Sequence, residues 1–212
     1  MGVGAVSFLI AEDDALIGRS LGRELGEHGH AVVVGTLEEA RGALASQSFS
    51  AVIVDVGLPD GSGLELISEA RAKDPEVAAL VVSGGVDERR LATAHHLGAS
   101  YLLKPVDAAE LHLFAVRTRA RVRTRTARVE AVVARWALVH ELTEAETDVL
   151  RLAARGARRS QLASLRGVAP STVKKQVQVL LGKTGDVSLE SAVSRLLREV
   201  LHEVERVPPR SR

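Results

Sequence analysis

The 212-residue sequence contains no cysteine, which excludes disulfide bonds and thiolate metal sites and fits a reducing compartment. No apolar run approaches the roughly 20 residues that a membrane-spanning helix requires. The N-terminal residues show neither the basic leader nor the small-residue cleavage pattern of a signal peptide. We therefore expect a soluble, cytoplasmic protein with no membrane partner.

Aromatic residues are also scarce, at 2% of the sequence, and residues 117–212 contain only Trp136. Recognition of single-stranded RNA relies on the stacking of bases on aromatic side chains. The scarcity argues against such a ligand, but a module that binds RNA or another protein remains the alternative to the function predicted below. The same residues offer no nucleophile, metal cluster or phosphate-binding loop, so we expect no output enzyme.

The two signs of charge are unevenly distributed along the chain. Residues 1–116 contain 8 Lys and Arg against 17 Asp and Glu, a net charge of −9. Residues 117–212 contain 20 against 10, a net charge of +10. An acidic half followed by a basic half predicts two domains, of which the basic one faces a polyanion. The alternative is that the two halves attract each other within the fold.

The acidic half alternates short apolar runs with helical patterns. Five runs are typical of strands buried in a parallel sheet, at residues 6–10, 31–34, 51–54, 78–82 and 100–103. Leucine, isoleucine and alanine recur at helical spacing in the segments between them. This alternation predicts an α/β fold, a doubly wound five-stranded parallel sheet with right-handed crossovers.

Polar side chains follow four of these runs. Glu12 and Asp13 follow the first, Asp55 the third, Ser83 the fourth and Lys104 the fifth. Because ligands bind at the carboxyl ends of parallel strands, we expect these side chains to converge there. Converging carboxylates require a cation, and hard oxygen ligands suit Mg²⁺. A carboxylate beside that ion stays ionised and can attack phosphorus, which predicts an aspartyl phosphate at Asp55.

This set of motifs resembles the receiver domain of two-component response regulators over residues 3–116. The shared features are an acidic pair, an Asp with its xxLPxxxG continuation, a Ser-Gly pair, a Tyr and a Lys-Pro pair, found here at 12–13, 55–63, 83–84, 101 and 104–105. The resemblance implies a flavodoxin-like fold, a Mg²⁺ cofactor and a histidine kinase as partner. It also implies that self-phosphotransfer and autodephosphorylation are the only chemistry of the protein.

The resemblance further implies a role for each residue of the site. Asp55 is the phosphoacceptor, Lys104 binds the phosphoryl oxygens, and Ser83 and Tyr101 form the switch pair. The implied Mg²⁺ ligands are three side chains and one backbone carbonyl, those of Glu12, Asp13, Asp55 and Gly57. The neighbouring Asp14 is not expected to be a ligand.

Residues 107–140 contain neither Gly nor Pro, so the last helix of the acidic half is predicted to continue into a helical linker. Apolar residues recur every seven positions within it, at Ala115, Val122, Val129 and Trp136. Six arginines lie within residues 117–128. The linker either presents a solvated face, or it pairs with a second protomer or lies along phosphates.

The basic half predicts helices separated by glycine breaks. Thr143 and Glu146 form the pattern of a capping box at the start of one helix, and Gly156 ends that helix. Gly167 marks a tight turn, and Pro170 stands at the first position of a third helix. Two short helices, a glycine turn and a longer helix predict a helix-turn-helix.

Residues 140–202 resemble the DNA-binding domain of NarL/FixJ (LuxR-type) regulators. The shared motifs are Leu142-Thr143-x-x-Glu146, Val149-Leu150, Gly156, Leu162-Ala163 and Thr172-Val173-Lys174. The resemblance implies that Lys174, Lys175 and Gln178 meet double-stranded DNA and that Thr172 meets a phosphate, with Arg159 also at the DNA.

The sequence departs from this family at three places. Arg159-Ser160 replaces the usual Asn-Lys, Gln176 replaces a His, and Ala169 replaces the Ser that caps the recognition helix. The missing cap forgoes about 1 kcal/mol of helix stability. Any base preference inherited from the family is therefore unreliable.

We therefore predict a phosphorylation-dependent transcriptional regulator that binds double-stranded DNA as a homodimer. In the family, the last helix of the DNA-binding domain forms the dimer. The predicted domains are a receiver domain, a helical linker, a helix-turn-helix domain and a flexible tail, at residues 1–116, 117–140, 141–205 and 206–212.

Overall fold

The computed structural model of the chain describes residues 6–205, of which 203–205 only as helical backbone. The chain divides into two compact units, with the boundary between Val122 and Arg123. The predicted flexible tail, residues 206–212, lies outside the described residues, as do residues 1–5.

The first unit alternates strands and helices. Its strands are β1 (Ser7–Ala11), β2 (His30–Val34), β3 (Ala51–Asp55), β4 (Gly57–Leu58), β5 (Gly61–Ser62), β6 (Ala78–Ser83) and β7 (Ser100–Leu103). Its helices are α1 (Ala15–Gly26), α2 (Leu37–Ser46), α3 (Gly63–Lys73), α4 (Glu88–His96) and the start of α5 (Ala108–Val139).

Five of these strands form one parallel sheet in the order β2-β1-β3-β6-β7, which confirms the predicted flavodoxin-like α/β fold. Strand β6 is buried along its whole length, because helices cover both faces of the sheet. Ala11 pairs with Val54, Asp55 with Val82, and Ser83 with Leu103. This register aligns the carboxyl ends of four strands at one edge.

The short strands β4 and β5 form an antiparallel hairpin directly after Asp55. Two-residue strands are too short to show an alternating pattern, so the sequence does not reveal this hairpin. A Cβ atom at Gly63 would stand 2.0 Å from the carbonyl oxygen of Asp55, so only glycine fits where α3 leaves the hairpin.

The second unit contains the end of α5 and helices α6 (Glu144–Ala154), α7 (Arg159–Arg166), α8 (Pro170–Thr184) and α9 (Leu189–Glu205). The predicted capping box is confirmed, since Thr143 and Glu146 each accept a hydrogen bond from the backbone N–H of the other. Gly167 ends α7 in the left-handed region with a φ of 63°, and Pro170 begins α8 as predicted. No helix within residues 6–205 is long and apolar enough to cross a membrane.

The apolar residues that recur every seven positions in α5 pack into the cores of the two units. Ala115 is buried in the core of the first unit, and Val122 packs against that core. Val129 and Trp136 belong to the core of the second unit. Burial within each unit therefore accounts for the seven-residue repeat without a second protomer.

Trp136 attaches the C-terminal part of α5 to α9. It is 2% exposed, and its Nε1 donates to Glu199 Oε2 at 3.1 Å. The guanidinium of Arg195 lies 4.1 Å from the centre of the indole ring, and Arg135 donates to Glu199 at 2.8 Å. Together with the buried Val129, these contacts make the last turns of α5 part of the second unit.

Candidate functional site

The carboxyl ends of three strands bring charged side chains together. Lys104 follows β7, and its Nζ donates to Glu12 Oε1 at 2.7 Å and to Asp55 Oδ2 at 2.6 Å. One carboxylate oxygen from each of Glu12, Asp13 and Asp55 lies within 4.8 Å of the others. The four residues therefore meet at the edge of the sheet where the sequence places them.

The charges of this cluster are shielded from water to different degrees. The side chain of Glu12 is 1% exposed, that of Asp55 15% and that of Lys104 16%. Burial raises the pKa of Glu12 above its usual value, although the hydrogen bond and the charge of Lys104 act in the opposite direction. Burial alone would lower the pKa of Lys104, but its bonds to Asp55 and Glu12 raise it overall.

The carboxylate cluster fits a divalent cation. Glu12 Oε2 is buried and has no hydrogen-bond partner within the described part of the chain. An ionised oxygen in that position costs free energy unless a cation or a proton compensates it. Three carboxylates with hard oxygen atoms suit Mg²⁺, and the side chain of Asp13 is open to solvent, so that a bound ion would have room for water ligands.

The backbone of Gly57 contacts this cluster. Its N–H donates to Asp55 Oδ1 at 3.2 Å, so that the first residue of β4 is tied to the side chain at the end of β3. Gly57 is exposed, and its carbonyl is a metal ligand only by what the family resemblance implies.

The two predicted switch residues meet on one backbone carbonyl. The hydroxyl of Ser83 donates to the oxygen of Gly85 at 3.0 Å, and the hydroxyl of Tyr101 donates to the same oxygen at 3.1 Å. Ser83 is buried at the end of β6, whereas Tyr101 is half-buried on β7. Because both hydroxyls donate to the same oxygen, a change in one of these hydrogen bonds alters the strength of the other.

Asp14 and Asp60 each accept hydrogen bonds from backbone N–H groups at the start of a helix. Asp14 caps α1, because its Oδ1 accepts from the backbone N–H of Leu16 at 2.8 Å and of Ile17 at 3.2 Å. This geometry agrees with its omission from the predicted ligands, and the N-cap preference for Asp was the available signal. Asp60 binds the N-terminus of α2, a contact that sequence reasoning missed.

Residues 8–115 match the sequence model of the response regulator receiver domain. The chain belongs to this family. Its first unit is therefore a receiver domain, and the cluster around Asp55 lies at the carboxyl ends of the receiver strands.

Curated relatives include regulators of transcription. Transcriptional regulatory protein PmrA of Pectobacterium parmentieri is 36% identical over 122 residues, 56% of this chain and 53% of the relative. DNA-binding transcriptional activator DevR/DosR of Mycobacterium tuberculosis is 28% identical over 193 residues, 85% of this chain and 88% of the relative. The chain spans 44% to 64% of the length of three relatives that it matches at 30% to 36% identity.

A solved structure agrees with the fold of the receiver domain. The CheY-like receiver domain protein from Methanospirillum hungatei JF-1 has a TM-score of 0.53 and 24% sequence identity. The match covers 57% of this chain and 98% of that protein. At this identity the comparison supports the fold alone.

The residues predicted to meet DNA lie on the surface of α7 and α8. The exposed ones are Arg159 at the start of α7 and Thr172, Lys174, Lys175 and Gln178 on α8. The opposite face of α8 carries Val173, Val177 and Leu180, all of which are buried. Ala169 precedes α8 and makes no side-chain cap, as the sequence indicated.

Gln176, unlike the exposed Lys174, Lys175 and Gln178, is held by a contact within the second unit. It is half-buried, and its Oε1 accepts a hydrogen bond from Arg166 at the end of α7. The pair joins the two helices across the turn at residues 167–169. The contact between Arg166 and Gln176 was not predicted from the sequence.

Proposed function

We propose that the protein is a transcriptional regulator of a two-component system, in which Asp55 accepts a phosphoryl group and the second unit binds double-stranded DNA. The observation that carries the proposal is the ion pair of Lys104 with both Glu12 and Asp55. An ammonium group held 2.6 Å from Asp55 is already in place for the charge of an incoming phosphoryl group.

The proposed transfer uses a phosphohistidine of a partner kinase as the donor. A carboxylate oxygen of Asp55 attacks phosphorus, and the new P–O bond forms as the P–N bond breaks. The imidazole nitrogen of the donor keeps the electron pair of the broken bond. When bound to Glu12, Asp13, Asp55 and the carbonyl of Gly57, Mg²⁺ would neutralise the negative charge that builds up in this step.

Two side chains of the receiver domain take further roles in this proposal. Lys104 moves its hydrogen bonds from the carboxylate to the phosphoryl oxygens. Ser83 Oγ leaves the carbonyl of Gly85 and donates to a phosphoryl oxygen instead. Because Tyr101 shares that carbonyl, its hydroxyl responds to the modification of Asp55. Self-phosphotransfer and autodephosphorylation are the only chemistry that we propose.

DNA binding by α7 and α8 as a helix-turn-helix is supported by the exposed residues of α8 and the net charge of +10 in residues 117–212. Lysines provide affinity for phosphates that does not depend on sequence, whereas Gln178 can read a base edge in the major groove. The similarity to DevR/DosR, a DNA-binding transcriptional activator that the chain matches over both units, supports the same assignment. Homodimers would place two such helices on one operator.

The proposal is tested with the full chain, Mg²⁺ and acetyl phosphate. Intact-mass measurement is expected to show one phosphoryl group on the wild type and none on Asp55→Asn. Fluorescence anisotropy with a selected duplex should show tighter binding after phosphorylation, and sedimentation velocity with beryllofluoride should show dimers. An unmodified wild type would contradict the assignment of Asp55 as phosphoacceptor, and a preference for single-stranded RNA over duplex favours the alternative of an RNA-binding module.

The double substitution Lys174→Ala/Lys175→Ala tests the DNA-binding surface. We expect weaker binding to all duplexes, and a salt dependence of log K that is shallower by about 2, because each lost phosphate contact removes about one counterion. Anisotropy titrations at several salt concentrations measure this slope. Arg198→Ala, which removes an exposed charge of α9, should leave the slope unchanged. An unchanged slope in the lysine variant would contradict the assignment of α8.

A further inference from the structure

Asp60 lies at the tip of the β4–β5 hairpin and reaches the N-terminus of α2. Its Oδ1 accepts from the backbone N–H of Leu37 at 2.7 Å, and its Oδ2 from that of Glu38 at 2.9 Å. The first N–H groups of a helix have no partner within the helix, so both bonds satisfy groups that need an acceptor. These bonds also lower the pKa of Asp60, which therefore stays ionised.

The hairpin is fixed at its other end by the phosphoacceptor itself. Gly57 begins β4, and its N–H donates to Asp55 Oδ1 at 3.2 Å. Between the two ends, a Cβ atom at Gly61 would stand 2.7 Å from Leu37 Cδ2, so β5 packs closely on α2. The hairpin is therefore held between Asp55 on one side and α2 on the other.

From this arrangement we infer that Asp60 is a positioning residue for the site, which holds the backbone of Gly57 beside Asp55 without touching metal or phosphoryl group. The inference rests on the proposed function, because Gly57 is a predicted ligand only if the site binds Mg²⁺. Gly57 lies between the buried residues Val56 and Leu58, but it is exposed and has no side chain of its own whose packing could fix its carbonyl. The two hydrogen bonds of Asp60 join the hairpin to a helix whose core residues, Leu37 and Ala40, are fully buried.

Thr36 provides a matched control for this inference. Its hydroxyl accepts from the backbone N–H of Glu39 at 3.1 Å, so it caps the same helix. Thr36 precedes α2 and makes no bond of this kind to the hairpin. Thr36→Ala and Asp60→Ala therefore both remove a cap from α2, but only Asp60→Ala releases the hairpin.

The measurement is the affinity of the full chain for Mn²⁺, followed by the EPR signal of the free ion, with Mg²⁺ as competitor. We expect Asp60→Ala to bind Mn²⁺ about five- to tenfold more weakly, near the low end of what loss of an indirect metal-site contact costs. Asp60→Asn keeps one acceptor oxygen and should lie between Asp60→Ala and the wild type. Thr36→Ala should bind Mn²⁺ within about twofold of the wild type, since its contact does not reach the site.

The rate of phosphorylation by acetyl phosphate should fall in the same order among these variants. Equal Mn²⁺ affinity of the wild type and Asp60→Asn, or equal losses in Asp60→Ala and Thr36→Ala, would overturn the inference. If Asp60→Ala does not fold, the comparison of Asp60→Asn with Thr36→Ala decides the question. A wild type that binds no Mn²⁺ and takes no phosphoryl group would instead overturn the proposed function.

Discussion

Replacement of Trp136 by alanine is expected to lower the free energy of unfolding of the second unit by about 4 kcal/mol, within the range for a buried aromatic residue. The side chain is 2% exposed and lies in a core with Val129, Val132 and Val133 from the same helix. Its loss also removes the indole donor of Glu199 and the ring beneath Arg195. The cavity and the lost polar contacts therefore both destabilise the packing of α5 on α9.

Hydrogen exchange of the amides in α9 measures this effect without an assumption of two-state unfolding of the whole chain. Protection in α9 should fall in Trp136→Ala, while protection in β3 and β6 of the receiver domain should stay the same. Leu138→Ala is the control, because Leu138 lies on the same helix two residues away and is 82% exposed. Similar losses of protection in both variants would show that α5 is fixed to α9 by some other contact.

Replacement of Lys104 by methionine is expected to lower the free energy of unfolding by about 2 kcal/mol at pH 7 without Mg²⁺. Removal of one partner from a fully buried ion pair costs about 3–5 kcal/mol, because the remaining charge has no compensation. The cost here should be smaller, since Lys104 and Asp55 are 16% and 15% exposed. Methionine keeps the length of the side chain but lacks its charge.

The pH dependence of the Lys104→Met variant follows from Glu12. Burial raises the pKa of Glu12 above its ordinary value of 4.5, and Lys104 opposes that rise. Without Lys104 the pKa rises further, so the folded variant keeps a proton that the unfolded chain has already released. Its stability therefore falls as the pH rises from 4.5 through the raised pKa, and the deficit against the wild type should shrink as the pH is lowered from 7 to 4.5.

Urea unfolding at pH 7 and at pH 4.5, with and without Mg²⁺, checks this prediction. Millimolar Mg²⁺ should stabilise Lys104→Met more than the wild type, because the ion supplies the missing positive charge. Lys73→Met removes an exposed lysine from α3 and should change stability by less than about 0.5 kcal/mol. A deficit that is the same at both pH values would mean that packing, and not charge, determines the effect.

The strands and the cluster around Asp55 could be predicted because both depend on local sequence. Buried parallel strands are continuous apolar runs, and the residue after each run lies at a known edge of the sheet. Glu12, Asp55 and Lys104 therefore converge by topology alone. The bond from Asp60 to α2 spans 22 to 23 residues and depends on a hairpin without a periodic pattern, so no local rule could identify it.

The heptad pattern of α5 shows a different limit of sequence reasoning. A seven-residue repeat records only that one face of a helix is apolar. It does not show whether that face packs on a helix of another protomer or on a core of the same chain. Here Ala115 and Trp136 are buried in two different cores, and the repeat alone did not contain that information.

The packing of Trp136 also limits where the second unit of this protein can be joined to a different receiver domain. A gene fusion at the loop of residues 140–143 would separate the second unit from about three turns of α5 that line its core. A fusion N-terminal to Val129 would transfer those turns together with α6 to α9. Functional chimaeras of this protein are therefore expected to have their junctions inside a helix and not in a connecting loop.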